Sequence, residues 1–184
     1  MGAKQALVIV DVQKAFNDSA WGKRNNLDAE SNIKQLLTRW REKNFEVIHI
    51  QHISENPSSL FYSKGAGFPI KDSVAPREHE KIITKQVNSA FIGTHLDQYL
   101  KSIQADTIVI VGLTTPHCVS TTTRMSGNLG YKTFLISDAT AAFGIDDHNG
   151  NYVDAETIHH LSLAAVNKEF ATVTTTEKFI QSTQ

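Results

Sequence analysis

Apolar residues fall into two regimes along this chain. Four short runs, Ala6–Val10, Val47–Ile50, Thr107–Val111 and Thr133–Ile136, are β-branched and apolar at successive positions. That is the pattern of strands covered on both faces. Between them, apolar residues recur at helical spacing. Ile33, Leu36, Leu37 and Trp40 form one stripe within Ala29–Lys43, and Leu96, Tyr99, Leu100 and Ile103 form another within Gly93–Ile103. Further helices are predicted over Pro116–Leu129, closed by Gly130 as the residue past the C-terminus, and over Ala155–Asn167. Lys81–Lys85 reads as a weaker strand and Ala171–Thr174 as one more. Repeated β-α-β order predicts an α/β fold: three layers, α/β/α, with a Rossmann-like, mainly parallel sheet.

The stretch Ser54–Val74 breaks this rhythm. It holds two of the four prolines, two glycines, and Phe61, Tyr62 and Phe68. Its length and aromatic content predict an ordered lid or an interface.

Composition narrows the function classes. The 184 residues fit one domain over 1–184, large enough to bury a single core. Lys plus Arg number 18 against 19 acidic residues, so no global field favours nucleic acid or an anionic membrane. The longest apolar runs are strand-sized and cannot span a bilayer. The N-terminal residues lack a signal-peptide pattern, and the expected location is cytoplasmic. One cysteine excludes an intramolecular disulfide and fits a reducing compartment.

That cysteine, Cys118, lies in Gly112-Leu113-Thr114-Thr115-Pro116-His117-Cys118, where a buried strand turns into a helix. With Thr115 as N-cap and Pro116 at the first helical position, Cys118 falls in the first turn, where free N–H groups and the helix dipole favour a thiolate. In open α/β sheets ligands bind at the carboxyl ends of strands. Asp11 ends the first run and Lys85 ends the weaker strand, so a carboxylate, an ammonium and a thiol could converge for nucleophilic acyl transfer. Singly, each has a plainer reading: a turn-forming Asp, a solvated Lys, a small buried Cys.

Several blocks together resemble a known family. Asp11-Val12-Gln13-Lys14-Ala15-Phe16 is similar to the D-x-Q-x-x-F opening of isochorismatase-like cysteine hydrolases, relatives of nicotinamidases and N-carbamoylsarcosine amidohydrolases. Lys85 through Phe91 resembles their K-x-x-x-S-A-F segment, and Gly112 through Val119 their G-x-x-T-x-x-C-V turn; Ser137-Asp138-Ala139-Thr140 fits the D-A-T segment. The blocks stand in family order from Ala6 to Thr174. The resemblance implies a catalytic triad of Asp11, Lys85 and Cys118, a cis peptide between Leu113 and Thr114, and oxyanion donors in the backbone N–H groups of Thr114 and Cys118. It implies a homodimer or homotetramer acting on a small molecule without a cofactor, with Trp21, Phe61 and Tyr62 as candidates for a lid or interface. Lys14 departs from the Asn common at its place.

Phe16, Phe61 and His117 are candidates to contact substrate. Nicotinamidases hold a metal with an Asp and histidines after the second strand; here that region reads His49-Ile50-Gln51-His52-Ile53-Ser54. His49 and His52 are three apart and face opposite sides of a strand, so no metal site is expected. His148, His159 and His160 read as surface or packing residues.

The expected activity is hydrolysis of a small amide or related C–N bond through a thioester. The first alternative is vinyl-ether hydrolysis of an isochorismate-like dianion, for which Lys14, Lys64 and Arg124 are the nearby cations. A phosphotransfer domain using Asp11 lacks the acidic neighbours that hold Mg²⁺. A non-catalytic small-molecule-binding scaffold would leave the triad without a task, and the chain has no G-x-G-x-x-G after its first strand.

Overall fold

The structure, a computed structural model, describes residues 4–183. Six parallel strands make the central sheet in the order β3-β2-β1-β4-β5-β8. They are β1 (Gln5–Val10), β2 (Glu46–His52), β3 (Lys81–Lys85), β4 (Thr107–Leu113), β5 (Lys132–Ala141) and β8 (Thr172–Thr174). Central β1 pairs on both sides, with Val8 opposite Ile48 and Ile110. Because successive side chains point to opposite faces, this continuous apolar run feeds two cores. Leu7 and Ile9 pack with Ile33, Leu36, Leu37 and Trp40 of α1 (Ala29–Glu42) and Phe179 of α5 (Thr176–Ser182). Ala6, Val8 and Val10 pack with Leu96 and Leu100 of α2 (Leu96–Ser102) and Val166 of α4 (Ala155–Val166). The second face also carries α3 (Ser120–Asn128), which lies against β5 and α4. Fully burying each of these Leu or Ile side chains contributes about 1.5–3 kcal/mol.

Element boundaries moved where side chains override pattern. The polar Ser137–Thr140 block belongs to β5, which runs on to Ala141. Helix α2 begins at Leu96 rather than Gly93. Pro116–Leu129 divides into a wide π-type turn, Thr115–Val119, and α3. A short hairpin, β6 (Ile145–Asp146) with β7 (Tyr152–Val153), and the seven-residue α5 carry too few apolar positions to show a period.

The 54–74 stretch is ordered. Lys14 and Ala15 donate backbone N–H groups to Pro69 and Gly67, Lys71 donates to Val12, and Ser54 donates to Phe61. A Cβ on Gly67 would meet the Leu60 carbonyl at 2.2 Å, so only glycine lets the two passes of the loop close on one another.

Candidate active site

The chain order along the sheet reverses at β1. From β1 through α1 it moves to β2, whereas β3 returns through α2 to β4 on the other side of β1. A crevice opens where such a sheet reverses, at the carboxyl ends of its strands. Asp11 stands at the end of β1, Lys85 at the end of β3, His52 at the end of β2, and Thr114 through Cys118 after β4.

Local backbone chemistry shapes both sides of this crevice. Asp11 leaves β1 at φ +51°, a left-handed conformation that Asp tolerates, while its N–H donates to the Ile50 carbonyl at 3.0 Å. Gly112 has φ +125°, and a Cβ there would lie 2.1 Å from the Val10 carbonyl oxygen. Only glycine brings the end of β4 this close to β1. The Leu113–Thr114 peptide is cis. The Val119 N–H then reaches back to the Thr114 carbonyl at 3.3 Å, which closes the wide turn around Cys118. Thr114, not Thr115, caps this turn, and neither hydroxyl caps it through its side chain. Thr115 Oγ1 instead lies 2.8 Å from Nδ1 of buried His159. His159 is thus a packing residue, and His160 is exposed.

Asp11, Lys85 and Cys118 converge. Lys85 Nζ lies 2.6 Å from Asp11 Oδ2 and donates to Cys118 Sγ at 3.3 Å. It also lies 3.1 Å from His52 Nδ1. All three triad side chains are buried, Cys118 at 9 % exposure. Ligand-type atoms of Asp11, His52 and Cys118 fall within 4.8 Å of one another, and the cation they surround is the Lys85 ammonium. A divalent ion at that point would have to displace this ammonium. His49 points the other way, 3.0 Å from Glu80 Oε2, which Arg41 also holds.

The electrostatics correct one expectation. A thiol at a helix start was expected to favour the thiolate. Burial, then the Asp11 carboxylate, instead push the Cys118 thiol up to about 12, against the opposing pull of Lys85. Burial raises Asp11 above the ordinary carboxylate range, although Lys85 works to lower it. The resting thiol is therefore neutral, and Asp11 is a stronger base than a free carboxylate. Burial and then Lys85 lower His52 to about 4, so its ring is neutral near pH 7.

Around this centre stands an aromatic wall. Phe16 is 7 % exposed, with ring centroids 5.0 Å from Trp21, 5.3 Å from Phe61 and 6.0 Å from Phe143. Phe16 is therefore packed into one cluster with Trp21, Phe61 and Phe143. Phe61 is half-buried and covers His52, with centroids 5.0 Å apart. His117 is exposed and holds Thr114 Oγ1 at 3.0 Å through Nδ1. It lines a cleft of about 200 Å³ with Trp21, Thr114, Pro116 and Phe143. Tyr62 is half-buried in its own loop, its N–H donating to the Ser59 carbonyl.

Sequence reasoning passed over three contributors. Asn88 Oδ1 accepts from the Cys118 thiol at 3.8 Å; a polar residue three past Lys85 carries no special signal. Gln13 is fully buried and clamps His52, accepting its N–H at 2.7 Å and donating to its carbonyl at 2.9 Å. It also donates to the Phe68 carbonyl at 2.7 Å. The signal for Gln13 was its place as the Q of the D-x-Q-x-x-F block, to which no role was attached. Phe143 had none.

Known proteins are similar to this chain over nearly its whole length. The Isochorismatase domain model matches residues 5–178. The isochorismatase family protein YrdC of Bacillus subtilis is 61 % identical over 180 residues, covering 98 % of this chain and 96 % of its own. A solved isochorismatase-family structure from Chromobacterium violaceum superposes with a TM-score of 0.95 at 36 % identity, over 97 % of this chain and 93 % of that one. Streptothricin hydrolase of Streptomyces noursei is 28 % identical over 141 residues, 77 % of this chain and 51 % of its own length.

Proposed function

This chain belongs to the isochorismatase family of hydrolases, and from that premise we propose that it cleaves a small amide or related C–N bond through a thioester on Cys118. The observation that carries the reading is the buried Lys85 ammonium, 2.6 Å from Asp11 and 3.3 Å from Cys118. Such an arrangement couples a thiol to a base within reach of one substrate atom. In the proposed cycle Asp11 takes the thiol proton as Sγ attacks the carbonyl carbon. The N–H groups of Thr114 and Cys118 bind the resulting oxyanion; donors of this kind typically contribute about 10²–10³ in rate. Protonated Asp11 gives its proton to the departing nitrogen, and the C–N bond breaks to leave a thioester and ammonia or an amine. Asp11 then deprotonates water, which attacks the thioester; the C–S bond breaks to release the acid, and Asp11 returns its proton to the departing Cys118 sulfur, restoring the resting pair. Lys85 stays charged throughout and stabilises sulfur as it becomes anionic.

Amide chemistry fits the surroundings better than vinyl-ether hydrolysis of a dianion. Of the three cations named for a dianion, Lys14 is paired with Asp72 at 3.1 Å, the Arg124 guanidinium lies 4.9 Å over the Phe170 ring, and only Lys64, exposed on the 54–74 loop, is left to meet two carboxylates. Lys85 is already matched by Asp11.

A homodimer or homotetramer remains part of the proposal, supported by large apolar side chains open to solvent at Leu161 (63 %) and Tyr152 (62 %). No helix among the described residues is long and apolar enough to cross a membrane.

A panel of small amides assayed for ammonia release tests the reading. Wild-type protein should release ammonia from at least one amide, and Cys118→Ala should release none while keeping its circular dichroism. Full activity in Cys118→Ala would overturn the mechanism.

A further inference from the structure

The proposed cycle leaves one buried-side polar group without a task. His52 sits at the end of β2, half-buried, its ring against Phe61 and its Nδ1 3.1 Å from Lys85 Nζ. An ammonium is a donor only, so Nδ1 must offer its lone pair. Lys85 meets three acceptors: Asp11 Oδ2, Cys118 Sγ and His52 Nδ1. Those three contacts match the three N–H bonds of the ammonium. A neutral imidazole that accepts at Nδ1 carries its proton on Nε2. That N–H has no acceptor among the described residues. The backbone of His52 is held on both sides by Gln13, at 2.7 and 2.9 Å, and the ring is fixed by Phe61. A donor with its tautomer set, its backbone clamped and its ring packed is preorganised for a ligand.

We propose that His52 Nε2–H is a substrate-contacting donor that reads a second hydrogen-bond acceptor on the carbon next to the scissile carbonyl. The placement follows from distance. One imidazole nitrogen of His52 lies within 4.8 Å of Cys118 Sγ, and Nδ1 is turned to Lys85, so Nε2 stands on the far side of the same small ring, within reach of the substituent next to a carbonyl carbon that meets Sγ. The substrate class is an amide flanked by a carbonyl, hydroxyl or carboxyl oxygen rather than a plain alkanamide. This inference rests on the amide-hydrolase reading of the same site.

Two measurements test it. The first compares kcat/KM for pyruvamide and propanamide, which differ only by a carbonyl in place of a methylene, in wild type and in His52→Asn. The Asn side-chain oxygen can still accept from Lys85 but the donor at the Nε2 position is gone. The ratio of the two substrates should fall about tenfold in His52→Asn, the range of a lost hydrogen bond whose partner is left unpaired. Greater electrophilicity of the keto amide cancels in this comparison. An unchanged ratio with both amides turned over would overturn the inference and leave the amidase reading standing. The second measurement is long-range ¹H–¹⁵N NMR of the histidine rings near pH 7, with His52 assigned by its loss in His52→Asn. A neutral ring protonated on Nε2 supports the preset donor; a ring protonated on Nδ1, or on both nitrogens, overturns it. Should neither amide be turned over, the amidase reading loses its support while the NMR result still decides the state of His52.

Discussion

Lys85 Nζ lies 2.6 Å from Asp11 Oδ2, with side-chain exposures of 0 % and 1 %. An ion pair this dry has lost the solvation of both charges and is held by mutual attraction and by the Lys85 contacts with Cys118 Sγ and His52 Nδ1. Removing the lysine strands a carboxyl group that burial already disfavours in its charged form. Lys85→Met should therefore lower the unfolding free energy at pH 7 by about 3–5 kcal/mol in urea titrations, and adding Asp11→Asn should restore most of it. Lys85→Met within about 1 kcal/mol of wild type would mean that the pair is open to water.

Thiol reactivity separates the roles of the two charges. Burial and Asp11 hold the Cys118 thiol at about 12 while Lys85 pulls it down. In Asp11→Asn the raising charge is gone and the ammonium remains. Iodoacetamide should then alkylate Cys118 faster in Asp11→Asn than in wild type at pH 8, by about tenfold for each pKa unit recovered, even though turnover is lost. Wild-type alkylation at the rate of a free thiol would contradict a raised Cys118 pKa.

The carboxylates act on opposite sides of the pH scale. Asp11 must be ionised to accept the thiol proton, and burial raises its pKa, so the acid limb of kcat/KM should lie above the roughly 3.9 of a free Asp. Its folded pKa exceeds its unfolded one, so its ionisation costs stability as pH rises through that interval. Glu30 and Glu80 behave in reverse. Burial pushes each up, but Arg24 and Lys71 around Glu30, and Arg41, the Arg77 N–H and His49 around Glu80, bring both to about 2. Their stabilisation is complete above the ordinary Glu range and is lost as pH falls toward 2. Urea midpoints measured from pH 6 to pH 2 should drop most steeply in that lower window, and Glu30→Gln should flatten the drop.

Gly112→Ala should destabilise the fold by at least about 2 kcal/mol, through an unfavourable φ and a methyl driven into the Val10 carbonyl. A normal melting temperature in that variant would mean that β1 and β4 separate at no cost.

Much of this was legible in the sequence because the strongest signals are local. Doubly covered strands announce themselves as unbroken apolar runs, and β1, β2 and β4 stand where those runs do. Asp11 could be singled out because it directly follows such a run, Lys85 because it ends the weaker strand, and Cys118 because it is the one cysteine and sits where a strand turns into a helix. What stayed hidden depends on the third dimension. The π-type turn that holds Cys118 reflects tertiary pairing across Gly112, which helix propensity does not report. The raised thiol pKa comes from burial beside a carboxylate more than one hundred positions away in sequence, a field that outweighs the helix start. Phe16 matched a motif, yet only the structure shows that it packs among Trp21, Phe61 and Phe143.

The central claim is a covalent intermediate on Cys118, and acid-quenched intact-protein mass spectrometry during turnover of an amide tests it most directly. The account predicts an added mass equal to the acyl group of that amide, located to the peptide containing Cys118 and removed by hydroxylamine. Steady turnover with an unmodified Cys118 and no loss of rate in Cys118→Ala would contradict it.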